Sequence, residues 1–186
     1  MNWETYFEFF MIEKWVNTFV LGSDDIETET VYFAGGCLWG TQAFFNTIPG
    51  VIQTEAGRAN GTSKCLDAPY DGYAECVKIH FDPAKTSILM LMDYLFEMIN
   101  PYSLNQQGQD KGQKYRTGVY SESSKHLNEA KDYIKRREDA KQVMVEVQPL
   151  SNYVKSAEEH QNHLEKFPED YYLCHVPPAL LNKYKK

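Results

Sequence analysis

Thr30-Val31-Tyr32-Phe33-Ala34-Gly35-Gly36-Cys37-Leu38-Trp39-Gly40 decides how this chain is read. Thr30 to Phe33 are β-branched or aromatic, the composition of a strand. Thr41 to Phe45 carry an apolar face and predict a helix. Gly35 and Gly36 let the backbone turn sharply and come close to a ligand. Cys37 therefore falls near the first turn of a helix. Unpaired N–H groups and the positive dipole end favour a thiolate there, which makes a nucleophile. Trp39 stands two residues on and can wall the same pocket. The plainer alternative is a buried structural cysteine, since free Cys is often core.

Outward from this hinge, strands and helices alternate. Val51 to Ala56 follows the Pro49-Gly50 turn and predicts a strand. Tyr73 to Phe81 predicts another. Its alternation puts Ala74, Cys76 and His80 on one face, and Tyr73, Glu75, Val77, Ile79 and Phe81 on the other. Ser87 to Ile99 is an apolar helix closed by Asn100-Pro101. Thr117–Tyr120 and Val143–Val147 are short strands. Ser123–Ala140 is a charged surface helix, and Ala157–Lys166 a short one before Pro168. Ala59–Asp71 and Pro101–Arg116 are long irregular stretches, the kind that carry function. The pattern predicts an α+β fold, a two-layer α/β sandwich.

At 186 residues, 42% hydrophobic and 14% aromatic, the chain can bury a core as one domain. A net charge of −7 argues against nucleic acid and anionic membrane as partners. No apolar run reaches the length of a membrane span. Trp3, Phe7, Met11, Trp15 and Phe19 recur every fourth residue and predict an amphipathic helix ended near Gly22. An acidic linker follows, so residues 1–29 stand apart from a domain over 30–186 with a mobile C-terminal tail. The start of the chain lacks the marks of a signal peptide, and a cytoplasmic location is expected.

Gly35-Gly36-Cys37-Leu38-Trp39-Gly40 resembles the G-G-C-F-W-G signature of the A-type peptide-methionine sulfoxide reductases. Gly72-Tyr73-Ala74-Glu75 is similar to the family's G-H-A-E element. Leu104 to Arg116 follows its L-N-x-Q-G-N-D-x-G-T-Q-Y-R stretch. Pro149-Leu150, Ala157-Glu158-Glu159-His160-Gln161 and Tyr172-Leu173-Cys174-His175 come in family order. The resemblance implies a ferredoxin-like sandwich and reduction of methionine S-sulfoxide, free or in proteins. Cys37 would attack the sulfoxide sulfur and become a sulfenic acid. Glu75 would donate a proton to the oxygen, which requires burial to raise its pKa. Tyr115 would hydrogen-bond that oxygen. Asp110 would orient substrate, and Leu38 and Trp39 would wall the methyl group.

No bound cofactor and no metal are implied. The sulfenic acid would be resolved by a second thiol, then exchanged with thioredoxin or another dithiol. Cys174 holds the family's recycling position, with Cys65 as alternative. Cys76 follows Glu75 on a strand and so points into the core. The chain departs from the pattern at Leu38, at Tyr73 and at Arg58, where many members have Tyr. Arg58 still offers donors to the oxygen, but a cation there favours an ionised Glu75. These departures frame the alternative, a divergent thiol redox sensor with weak reductase activity. His160 is read as structural.

Overall fold

The computed structural model describes residues 27–185. The predicted helix ending near Gly22 and most of the acidic linker lie outside the described residues. Strand β1 (Glu29–Gly35) is fully buried from Val31 onward, which requires neighbours on both edges. It has them: β3 (Ala74–Phe81) and β6 (Thr117–Ser121), both antiparallel. The six-stranded sheet runs β7-β6-β1-β3-β2-β8. Here β2 is Val51–Ala59, β7 is Glu146–Pro149 and β8 is Tyr153–Lys155. Only the β6–β7 pair is parallel.

Alternation along the strands makes two layers of contacts. Val31, Phe33, Val77 and Ile79 face a large core. They meet Phe44 and Phe45 of helix α1 (Leu38–Phe45) and Leu91, Met92 and Leu95 of α2 (Ile88–Met98). Tyr32, Ala34, Ala74, Cys76 and Tyr120 face the other way, under Leu150 and Tyr153. Ser87 caps α2 by accepting from the Met90 N–H at 3.3 Å, so that end matches its prediction. The mixed α/β architecture read from the sequence is therefore present.

Several boundaries differ. The charged helix, α3 (Ser124–Lys135), stops five residues short of its prediction. Arg136 to Asp139 offer no apolar face to bury, and Arg137 instead forks onto Asp139 at 2.8 and 2.7 Å. The predicted helix over 157–166 breaks into a 3-10 turn, Glu158–His160, and α4 (His163–Lys166). Asn162 takes a left-handed conformation between them. Gln161 meanwhile turns its amide inward and replaces backbone partners of Ala56, accepting at 2.9 Å and donating at 2.8 Å.

The C-terminal tail packs on the domain. A 3-10 turn (Pro168–Leu173) and α5 (Pro178–Lys183) bring Val176 and Leu181 into the main core. Each such burial contributes about 1.5–3 kcal/mol. Among the described residues no helix is long and apolar enough to cross a membrane.

Candidate active site

Cys37 is the N-cap of α1, as the glycine hinge predicts. Its carbonyl accepts from the Thr41 N–H at 3.2 Å and the Thr41 hydroxyl at 3.0 Å. Gly36 before it has φ +90°, and a Cβ there would lie 2.6 Å from Gln107 Cβ and 2.9 Å from His175 Cε1. No other residue fits that turn.

The next amide, Leu38 N–H, is one that a helix start leaves without a partner. It donates to Glu75 Oε2 at 3.2 Å. Strand alternation explains how Glu75 arrives there. It shares the helix-facing side of β3 with Val77 and Ile79, one step beyond the core and beneath the start of α1. Its side chain is only 12% exposed, and Lys114 Nζ lies 3.0 Å from its other oxygen.

Cys37, Leu38, Trp39, Arg58, Glu75, Asp110 and Tyr115 all line one cleft of about 460 Å³. Asp110 comes from a hairpin within the second long stretch, β4 (Gln106–Gln107) and β5 (Asp110–Lys111). Tyr115 comes from the 3-10 turn that follows, Gln113–Tyr115. Lys114, Gln109, Tyr73, Ser156, His160 and Leu173 complete the wall.

The electrostatics correct one expectation. The helix start was expected to lower the Cys37 pKa. Instead burial, with the Glu75 charge second, pushes the thiol up to about 12, and the Trp39 amide only partly offsets this. Cys37 therefore rests as a thiol, and attack requires its proton to leave. Burial also raises Asp110, reinforced by Glu75 and opposed by Lys114. One Asp110 oxygen is buried and makes no hydrogen bond. Burial raises the Tyr115 phenol, with Lys114 pulling down.

Trp39 is fixed from two sides. Its Nε1 donates to His160 at 3.1 Å, and its ring stacks on His163 with centroids 3.7 Å apart. His160 thus positions Trp39. Arg58 faces Glu75 across the β2–β3 register but does not pair with it. Its Nη1 donates to the Leu66 carbonyl at 2.8 Å, and its guanidinium covers the Tyr73 ring at 4.6 Å. The cation that reaches Glu75 is Lys114. The quoted pattern has Gln at that position, and this difference was the available signal.

The two remaining candidate thiols part company. Cys174 packs on α1, with its Sγ where a Cβ of Gly40 would be. Burial raises its pKa, and the Asp110 charge acts on both Cys174 and Cys37. Cys65 is exposed in the loop beyond β2, beside a smaller recess that shares only Arg58 and Tyr73 with the cleft. Cys76 is wholly buried, as the alternation requires. Among the described residues no group of three His, Cys, Asp or Glu is placed to hold a metal.

A cysteine at a helix N-cap, in one cleft with a carboxylate, a phenol and an indole, fits a cysteine-centred oxidoreductase. The family described as peptide methionine sulfoxide reductase matches residues 29–186, and the chain belongs to it. The peptide methionine sulfoxide reductase MsrA of Clostridium acetobutylicum is 39% identical over 164 residues, covering 83% of this chain and 98% of that one. Reduced Mxr1 from Saccharomyces cerevisiae is similar in structure, with a TM-score of 0.73 and 26% identity over 83% of this chain and 93% of its own. Methionine sulfoxide reductase A of Corynebacterium diphtheriae follows at 0.69 and 26%, over 76% of each chain.

Proposed function

We propose that this chain reduces the S-sulfoxide of methionine, free or in proteins, to methionine, with Cys37 as nucleophile. The observation that carries this is the single cleft in which Cys37 caps a helix whose next amide is bonded to Glu75, with Tyr115, Asp110 and Trp39 around them. The Cys37 sulfur bonds to the sulfoxide sulfur, that S–S bond and the substrate S–O bond break as the oxygen passes to Cys37, and the thiol proton ends on that oxygen. The products are the thioether and a Cys37 sulfenic acid. Glu75 carries the proton. Tyr115 hydrogen-bonds the oxygen, and Asp110 orients the substrate from the cleft wall. Leu38 and Trp39 take up the methyl group. Arg58 shapes the rim through Tyr73 and the Leu66 carbonyl.

Cys174 then attacks the sulfenic sulfur, releasing water and forming a disulfide. Its place on α1 and in the field of Asp110 supports it over Cys65. Thioredoxin reduces the disulfide. In support, yeast Mxr1 is also described in complex with Trx2, a likeness of fold at 19% identity and TM-score 0.52. The strand order β6-β1-β3-β2, with α1 and α2 as crossovers, supports the ferredoxin-like assignment for a catalytic domain over 30–186. Four unpaired thiols support a cytoplasmic location.

The test supplies resolved S- and R-sulfoxides of N-acetyl-methionine with thioredoxin and its reductant. Turnover of the S epimer alone, abolished in Cys37→Ser, is the expected result. Turnover of both epimers, or of neither, refutes the proposal.

A further inference from the structure

The residues assigned to handle the sulfoxide oxygen enclose a charged side chain that has no role in the mechanism so far. Lys114 Nζ lies 3.0 Å from Glu75 Oε1 and 4.5 Å from the centre of the Tyr115 ring. It lines the same cleft as Cys37. Its side chain is 37% exposed, against 12% for Glu75, so the ammonium sits at the mouth of the site with Glu75 beneath it. Burial opposes its charge, but Tyr115 and Glu75 outweigh burial and hold the ammonium above its ordinary range. Other groups around it are Asp110 from β5, Arg58 from β2, Cys37 at the start of α1, and Tyr73 and His160.

Each Glu75 oxygen faces a donor, Oε2 the Leu38 N–H and Oε1 the Lys114 ammonium, so both act as acceptors in this arrangement. The neighbouring thiol, by contrast, holds a proton that must leave for attack to proceed. The two requirements fit if acceptor and donor are different side chains.

We propose that Lys114 is a further catalytic residue, whose ammonium donates to the sulfoxide oxygen between Glu75 and Tyr115 while Glu75 accepts the proton leaving Cys37. This rests on the reductase reading above and assigns the donor within it. The Cys37–substrate S–S bond forms as the thiol proton passes to Glu75. The substrate S–O bond and the new S–S bond then break as the oxygen bonds to the Cys37 sulfur, the electron pair of the S–S bond stays on the thioether sulfur, and Glu75 returns the proton to that oxygen. Cys37 loses two electrons and the substrate sulfur gains them. Lys114 ends with its three protons, having stabilised the negative charge that builds on oxygen.

The experiment is a single-turnover measurement on the reduced full chain, without recycling reductant. N-acetyl-methionine S-sulfoxide is the substrate, and thioether formation is followed from pH 5 to pH 9. The variants are K114Q, K114M and K114R. Removing the charge should slow the step by about 100-fold at pH 8. K114R should stay within about tenfold of wild type, because its charge persists across the range. The wild-type and K114R rates should be flat with pH. Those of K114Q and K114M should depart from that profile, because the ammonium that supplies the donor is gone. K114M keeps the apolar stem, so a folding defect peculiar to K114Q does not decide the outcome. Charge-free variants within threefold of wild type and of the same pH slope overturn the proposal, as does a faster K114Q. A wild type that forms no thioether breaks the reductase reading itself.

Discussion

The two long irregular stretches look alike in the sequence and are built differently. The first, from Asn60 to Tyr73, is held mainly by polar contacts at its ends. The Asp71 carboxylate accepts from the Ser63 and Tyr73 amides, and Asn152 donates to the Gly61 and Ser63 carbonyls at 3.0 and 2.6 Å. The second, from Pro101 to Arg116, is organised about a buried amide. Gln107 accepts from the Asn100 N–H at 2.8 Å and donates to the Asn100 carbonyl at 2.9 Å. That side chain does what a sheet partner would, so the hairpin and 3-10 turn behind it can present Asp110, Lys114 and Tyr115 to the thiol. The first stretch presents Cys65 largely to solvent.

The largest effect should separate the thiols of the two regions. In Cys174→Ser, one equivalent of thioether should form and steady-state turnover with thioredoxin should drop at least about 100-fold, by analogy with loss of any obligatory covalent group. Cys65→Ser should cycle like wild type. Arrest in Cys65→Ser, with Cys174→Ser still cycling, would reverse the assignment. Next comes Gln107→Ala, which removes both hydrogen bonds of a buried amide to the Asn100 backbone. The cost is about 1–3 kcal/mol, measured by urea unfolding, with a fall in single-turnover rate of more than tenfold. A variant of full stability would show that the loop is held elsewhere.

The third prediction concerns a clamp that only the second region has. His175 packs on Gly108 and Gly36, and neither ring nitrogen makes a hydrogen bond. Burial pushes the imidazole down to about 4; the Gly35 backbone pulls weakly the other way without hydrogen-bond geometry to either nitrogen. The seated ring is neutral at any pH above that value, whereas a released ring takes a proton near 6.5. The seat is therefore fully stable above pH 6.5 and loses about 3 kcal/mol as pH falls toward 4. Hydrogen exchange, corrected for intrinsic rates, should show residues 168–183 opening over that window, with no such change in residues 60–73. Equal protection at pH 7 and pH 4.5 would remove His175 from the account. The smallest effect is expected for Asn152→Ala, about 1 kcal/mol, with single-turnover chemistry unchanged.

Much of the site was legible because strands alternate and glycines mark turns. The period of β3 placed Glu75 with Val77 and Ile79, hence under α1, and sent Cys76 into the opposite core. The hinge placed Cys37 at the helix cap. What local pattern could not show was which cation would reach Glu75. Arg58 is its register neighbour, yet its guanidinium turns to Leu66 and Tyr73. Lys114 lies in a three-residue turn too short to have a period. The resting state of Cys37 was missed because helix-end polarity is a sequence feature, whereas desolvation depends on the whole cleft. Gln107 and Gln161 were unreadable for a related reason: an amide standing in for backbone leaves no periodic trace.

The stack of Trp39 on His163 joins the nucleophile's helix to the segment that leads to Cys174. An indole is fluorescent, and its emission depends on what lies against its face. Trp39 is thus an optical gauge fitted at the joint between the two thiols. If bridging them shifts that segment, the stack is disturbed and the protein reports its own oxidation as a change of light, without any label.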